Sequence, residues 1–231
     1  MKKAIHTGTL NDGTCFSVSK LEPSQLGQIL DLQQTVLDTM AIGQFLQPLS
    51  PEEYQYILSG KGLMLGVFAD DRLIAFRALL VPDTEEEHLG IDAGLDKNDL
   101  KKVIYQEITN VHPSYRGNGL QKLLAGLIMD TLTKETGRFK YVCCTVAPGN
   151  IPSLKDKFGQ GMEIAALKLK YGNLLRYIFI KEIKGSGKAD RTEKVSCLMS
   201  DIAGQQKLLA DGFTGYSLKE KEGRHEVLYH K

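Results

Sequence analysis

Residues 113–121 read Pro-Ser-Tyr-Arg-Gly-Asn-Gly-Leu-Gln. Arg116 brings a fixed positive charge able to hydrogen-bond phosphate oxygens. Gly117 and Gly119 let the backbone take φ > 0 and approach an anion with no Cβ in the way. The apolar run that follows predicts a helix, so the turn lies at a helix amino terminus. There the N–H groups lack intrahelical partners and the helix dipole is positive. A phosphate or pyrophosphate fits such a place. The same residues also fit a plain strand-to-helix turn with its arginine in solvent, and the turn alone leaves both readings open.

Other candidate chemistries fail on spacing. From Gly117 the third glycine of a dinucleotide fingerprint would fall at Lys122. The run Gly185-Ser186-Gly187-Lys188 would be a phosphate loop only with a glycine at 182 and Ser or Thr at 189, where Glu182 and Ala189 stand. The cysteines are Cys15, Cys143, Cys144 and Cys197. None forms a C-x-x-C pair, so zinc has no scaffold and no metal is expected. Cys143 and Cys144 adjoin on a predicted strand and point to opposite faces, so they read as reduced core thiols. His112, ahead of Pro113, reads as a solvated turn histidine.

The elements that must hold the turn follow from periodicity. Residues 103–111 predict a strand, 119–136 a helix and 139–146 a second strand. Leu120, Leu123, Leu124, Leu127, Ile128 and Leu132 form the helix stripe, with a stop at Gly137. This is a βαβ unit, with a right-handed crossover and parallel strands. Upstream, residues 14–21 alternate as a first strand. Ser24 is expected to cap a helix carrying Leu26, Ile29, Leu30, Val36, Leu37 and Met40. Pro51 opens a short helix. Residues 63–81 read as a hairpin turning at Asp70-Asp71, and a short helix is expected near 97–102. Downstream, a short helix begins near Pro152 and a second hairpin covers 164–182. Residues 185–194 read as a charged linker. The tail 195–231 reads strand, helix, strand, turn, strand.

Composition restricts the partners. The 231 residues suffice to bury a core without disulfides or metal. Hydrophobic residues at 42% and charged residues at 25% are ordinary for a globular protein. A net charge of +1 favours neither nucleic acid nor a membrane surface as partner. The first residues carry lysines with no apolar run behind them, unlike a signal peptide, and no stretch approaches the ~20 apolar residues of a membrane span. A cytoplasmic protein is expected.

Val111-His112-Pro113-Ser114-Tyr115 followed by Arg116-Gly117-Asn118-Gly119-Leu120-Gln121 resembles the hallmark of the GNAT superfamily of acyl-CoA-dependent N-acyltransferases. That hallmark is R/Q-x-x-G-x-G/A after a strand ending in an apolar-x-Pro pattern. Gln121 departs from it, standing where the family usually has glycine or alanine. Asn150, Ser153, Gly161 and Met162 match a second family pattern, in which Lys157 replaces a tyrosine often cast as general acid. The resemblance covers roughly residues 14–183. It implies an α/β protein of GNAT fold, with a mixed central sheet, splayed parallel strands and flanking helices. A core over 1–184, the linker 185–194 and a small C-terminal α/β extension over 195–231 complete the expected organisation. The extension has three roles open to it: adding strands to a sheet edge, capping the acceptor site, or joining two subunits as a homodimer.

The resemblance further implies direct transfer of an acetyl group from acetyl-CoA to the primary amine of a small molecule or peptide, with no metal. Asn110 and Val111 would bond the pantetheine arm through their backbones, as an added strand does. Arg116, Gly117, Asn118, Gly119, Leu120 and Gln121 would hold the pyrophosphate, and Asn150 would touch the cofactor arm. Glu107 is the candidate base, with the oxyanion at a backbone N–H near Val111. The general acid is unassigned, although Tyr171 and Tyr177 flank the second hairpin. The acidic residues Glu85, Glu86, Glu87, Asp92, Asp96 and Asp99 could draw a cationic amine or form a solvated loop. A rival from another class is a GNAT-fold module that binds acyl-CoA as a sensor or scaffold without turnover. Gln121 and Lys157 lean toward the rival, Glu107 and the intact turn toward the enzyme. A nucleotide-binding protein without CoA is a third, weakened by both failed fingerprints.

Overall fold

The computed structural model describes residues 4–39, 47–83, 87–135, 137–185 and 191–231. In chain order the first elements are β1 (His6–Thr9), β2 (Cys15–Lys20), α1 (Leu26–Asp38), α2 (Pro51–Tyr56), β3 (Gly62–Ala69) and β4 (Arg72–Leu80). Next come α3 (Leu89–Asp92), β5 (Val103–Val111), α4 (Leu120–Glu135), β6 (Tyr141–Val146), α5 (Ile151–Gly159), β7 (Glu163–Lys170) and β8 (Leu174–Glu182). The tail forms β9 (Lys194–Leu198), α6 (Ile202–Ala210), β10 (Thr214–Lys221) and β11 (Arg224–His230). Two compact units result: Met1–Val81 with Tyr105–Gly137, and Pro82–Ile104 with Arg138–Lys231.

In the first unit the strands run β1-β2-β3-β4-β5, each antiparallel to the next. Residues 73–79 of β4 are all buried, so both faces of that strand are covered. Phe76 and Ala78 join Ile29, Leu32, Tyr54 and Ile57 of the helical layer α1–α2 in one apolar cluster, which also takes in Ile108 of β5. Helix α4 packs on β3 and β4. Gln33 pins α1 to α2: its Oε1 accepts from the Tyr54 hydroxyl at 2.6 Å, and its Nε2 donates to the Leu49 carbonyl at 2.9 Å.

Local chemistry sets the boundaries. Ser50 and Glu53 cap α2 reciprocally, with Pro51 at the first position as expected. The expected cap at Ser24 is not the one used. Glu22 and Gln25 form a reciprocal box around a 3-10 turn, Pro23–Gln25, and Ser24 lies inside it. Met40 falls outside the described residues. Asp70 and Asp71, at φ 48° and 62°, make the β3–β4 turn with both central residues at positive φ, which matches the right-handed twist of the paired strands. Strand β1 was not read from the sequence. It joins β2 through Asn11-Asp12-Gly13, where Gly13, at φ 90°, donates its N–H to the Leu10 carbonyl at 3.0 Å.

In the second unit the order is β6-β8-β7-β10-β11-β9, again antiparallel throughout. The tail therefore adds strands to the edge of β7, the first of its three open roles. Its helix is anchored by Gln205, fully buried, whose Oε1 accepts from the hydroxyls of Tyr177 at 2.7 Å and Tyr229 at 2.9 Å. Residues 186–190 of the expected linker lie outside the described residues, but its end is tied down. Arg191 Nη1 donates to Glu163 Oε2 at 2.5 Å and to Thr214 Oγ1 at 2.7 Å, and also meets His230 Nε2. Burial pushes the Glu163 carboxyl up, but the bonds from Arg191 and Thr214 outweigh it and hold the carboxyl low.

Replacing Gln205 by alanine strands two buried phenols and the Met199 carbonyl that Nε2 bonds. Gln205→Ala is expected to cost about 2–4 kcal/mol of stability, read as the shift of the urea midpoint.

Candidate active site

The turn after β5 has the geometry its residues suggest. Gly117 and Gly119 sit at φ 81° and 70°, and a Cβ built on either meets nothing within 4 Å. Backbone conformation, not crowding, therefore requires glycine at both positions. Helix α4 starts at Leu120, and its first internal bond runs from the Leu123 N–H to the Gly119 carbonyl at 3.0 Å. Among the described residues, the N–H groups of Gly117, Asn118, Gly119, Leu120, Gln121 and Lys122 donate to nothing. Arg116 is exposed beside them, and Gln121 is half-buried. The Asn118 side chain is engaged within the protein: Nδ2 donates to the Tyr115 carbonyl at 3.0 Å, and Oδ1 accepts the Asn11 N–H at 2.8 Å.

Glu107 owes its position to a β-bulge. Ala78 pairs with Ile108 and the next residue, Leu79, pairs with Gln106, so Glu107 is the extra residue of β5. Bulges re-aim side chains in this way. Glu107 is exposed to solvent by surface area, yet neighbouring protein atoms partly desolvate its carboxyl. Desolvation, reinforced by the Glu53 carboxylate, raises its pKa to about 7. Glu53 is held by its own cap bond to the Ser50 N–H at 2.7 Å. Nothing in the sequence pattern pointed to Glu53 or to the bulge.

Neighbouring residues of β5 divide their roles by alternation. The His112 N–H donates to the Ile74 carbonyl at 2.9 Å, which fixes Ile74–His112, Phe76–Asn110 and Ala78–Ile108 as the hydrogen-bonded pairs. The N–H and C=O of Val111 and Thr109 thus turn to the strand's other edge, free of β4. Asn110 differs from expectation, since its backbone faces Phe76 and is engaged in the ladder. Its side chain shares the face of Phe76, under α1 and α2, and is 1% exposed with neither its oxygen nor its nitrogen hydrogen-bonded. An amide so placed costs about 1–3 kcal/mol until something pairs with it.

His112 is not the solvated residue the sequence suggested; it is buried at 8% exposure. Arg72 Nη2 lies 2.9 Å from its Nε2, and a guanidinium can only donate, so Nε2 holds its lone pair. Desolvation and then the charges of Arg72 and Arg116 lower its pKa, keeping the ring neutral. Beside it opens a cavity of about 350 Å³, lined by Gln28, Asp31, Asp70, Asp71 and Arg72 among others. Neither Glu107 nor the glycine turn lines that cavity, so it is separate from the chemistry traced above.

The remaining candidates belong to the second unit. Asn150 caps α5, its Oδ1 accepting the Ser153 N–H at 3.2 Å. Lys157 is buried and its Nζ donates to Asp156 at 3.2 Å, which excludes a solvated face. Tyr177 is fully buried on Gln205, with burial pushing its phenol up, so it is not placed as a proton donor to solvent-accessible thiol. Tyr171 stays exposed, 3.5 Å from Thr145 Oγ1. The acidic rim is largely neutralised: Asp92 binds Lys168 at 2.9 Å and Lys170 at 3.0 Å, and Asp99 binds Lys102 at 2.7 Å. Glu85 and Glu86 lie outside the described residues. Among the described residues, no group of three His, Cys, Asp or Glu side chains could hold a metal ion, and no helix is long and apolar enough to cross a membrane.

By sequence, no protein-family model and no curated relative matches the chain. By fold, it is similar to the ribosomal-protein-S18-alanine N-acetyltransferase of Escherichia coli, at 17% identity and a TM-score of 0.55 over 75% of this chain and 97% of that one. NAA60 of Arabidopsis thaliana, solved in complex with acetyl-CoA, gives 18% and 0.55 over 74% and 99%. A GNAT-family acetyltransferase from Streptococcus pneumoniae gives 13% and 0.54 over 72% and 98%. The chain has the GNAT acetyltransferase fold.

A carboxyl raised by the fold stabilises it only while protonated. Glu107's contribution is complete below its ordinary value of 4.5 and is lost as pH rises toward about 7. Glu107→Gln should therefore match the wild type near pH 4.5 and exceed it increasingly up to about pH 7, then hold a constant lead. Urea midpoints across that range measure the gap, and a gap independent of pH would contradict the raised pKa.

Proposed function

We propose that this chain is an N-acetyltransferase that passes an acetyl group directly from acetyl-CoA to a primary amine. The observation that carries the proposal is the run of unbonded N–H groups from Gly117 to Lys122 at the head of α4, beside Arg116. Such an array suits a pyrophosphate, and the GNAT fold makes CoA the carrier that fits it.

The roles follow from the geometry. Arg116, Gly117, Asn118, Gly119, Leu120 and Gln121 hold the pyrophosphate, chiefly through backbone N–H groups. Val111, with Thr109, turns backbone groups away from β4 toward the pantetheine arm, and Asn150 remains a proposed contact of that arm. An ammonium acceptor must lose a proton before its lone pair can attack the thioester carbonyl. Glu107, about half ionised near neutrality, takes that proton. A Val111 N–H directed away from β4 suits the oxyanion, whose collapse releases the CoA thiolate. Asn110's unpaired carboxamide suits a polar group of the acceptor. The acceptor is a small-molecule or peptide amine, and a cytoplasmic setting, in keeping with four cysteines that form no disulfide, belongs to the same proposal.

A second reading, acyl-CoA binding without turnover, draws on Lys157, ion-paired where the family pattern has a phenol. Calorimetry and an amine-panel assay separate the two. Acetyl-CoA and CoA are expected to bind at micromolar Kd while ATP and NAD do not. Arg116→Glu should weaken CoA more than about tenfold in a folded protein. Glu107→Gln should lower turnover by about a hundred-fold or more, and wild-type rates should climb as pH rises through about 7. Binding with no turnover on any amine would favour the sensor, and no CoA binding would end both readings.

A further inference from the structure

The β1–β2 hairpin reaches the cofactor turn across more than a hundred residues of sequence. The Asn11 N–H donates to Asn118 Oδ1 at 2.8 Å, and Asn11 Nδ2 lies 3.5 Å from the Gly117 carbonyl. From the other side, Asn118 Nδ2 donates to the Tyr115 carbonyl at 3.0 Å. Tyr115 packs edge-on against His112, ring centroids 5.4 Å apart, and His112 is fixed by Arg72. Asn118 is thus a strut whose carboxamide is bonded at both ends, set between the two glycines that carry positive φ.

Those glycines need such a strut. Each has open space where a Cβ would be, so packing does not restrain them. A glycine has more backbone freedom to lose than any other residue. A turn that had to order itself around each ligand would lose affinity by that entropy, whereas one held in place beforehand would not.

We propose that Asn11 is a positioning residue for the cofactor turn. Its backbone N–H, presented by the β1–β2 hairpin, locks Asn118 and keeps the N–H groups of Gly117–Lys122 aimed at one anion position. Asn118 then serves the ligand with its backbone N–H and the protein with its side chain. The inference rests on the reading of the turn as a CoA pyrophosphate site.

A single substitution removes the donor and spares the hairpin. Asn11 occupies the second position of the turn closed by the Gly13 N–H to the Leu10 carbonyl, and neither Asn11 nor Asp12 has positive φ. Proline is favoured at that position and lacks an N–H. Asn11→Pro is expected to raise the Kd for CoA about fivefold, the worth of one hydrogen bond. The KM for acetyl-CoA should rise with it while kcat at saturation and the melting temperature hold. Asn118→Ala should weaken CoA at least as much, and adding Asn11→Pro to it should cost clearly less than Asn11→Pro costs alone, since only the longer Asn11 Nδ2 contact to the Gly117 carbonyl is left to lose. A CoA affinity unchanged in Asn11→Pro, with the wild type binding CoA, overturns the role of Asn11 and leaves the cofactor site standing. Additive losses in the double variant overturn it equally. A wild type that binds no CoA removes the cofactor reading itself, and the positioning role with it.

Discussion

Backbone donors without partners are the constraint on which this molecule turns. A helix leaves its first N–H groups unbonded, and α4 adds to them the N–H groups of a turn wound through two left-handed glycines. Most helices satisfy such donors with a capping side chain. Here the Asn118 carboxamide is bonded to Tyr115 and Asn11 instead. The surrounding fold holds the turn rigidly: α4 lies on β3 and β4, β4 is buried on both faces, and β5 delivers the chain to the turn from the same sheet. The donors are left exposed and fixed in direction, which suits an anion.

Three residue pairs upstream of that turn, one extra residue in β5 changes which groups face where. The bulge at Glu107 lets Gln106 pair across from Leu79 while Ile108 and Asn110 face the layer of α1 and α2. It also sets a carboxyl where desolvation and the charge of Glu53 make it more basic. Arg77, fully buried, is held at Gln106 Oε1 at 2.6 Å, which ties the strand pair together just before the irregularity. The same strand thus carries a carboxyl with a raised pKa, backbone groups of Val111 turned away from β4 and an unpaired amide at Asn110. Pairing geometry sets those environments more than residue type does.

Much of this was legible in the sequence because it is local. The Asp70-Asp71 turn, Pro51 at the head of α2, the limits of β5 and the Arg116–Gly119 turn each follow from chemistry within a few residues. What was not legible depends on partners far away in the chain. His112 looked like a solvated turn residue because nothing nearby announces Arg72, and nothing near Tyr177 announces its partner Gln205 in the tail. The acidic run was left open between drawing an amine and forming a solvated loop, and nothing local announces that Lys168 and Lys170 pair with Asp92. Asn110 was given a backbone role alongside Val111, yet the register engages its N–H and C=O with Phe76 of β4. The Asn11-Asp12-Gly13 turn and its reach to Asn118 were not read from the sequence.

Backbone amide chemical shifts, followed by NMR in isotope-labelled protein as CoA is added, examine the donor array directly. The largest shifts should fall on the N–H groups of Gly117 through Lys122, with inorganic pyrophosphate moving the same signals more weakly. CoA that binds while leaving those amides unmoved would contradict the assignment of the turn.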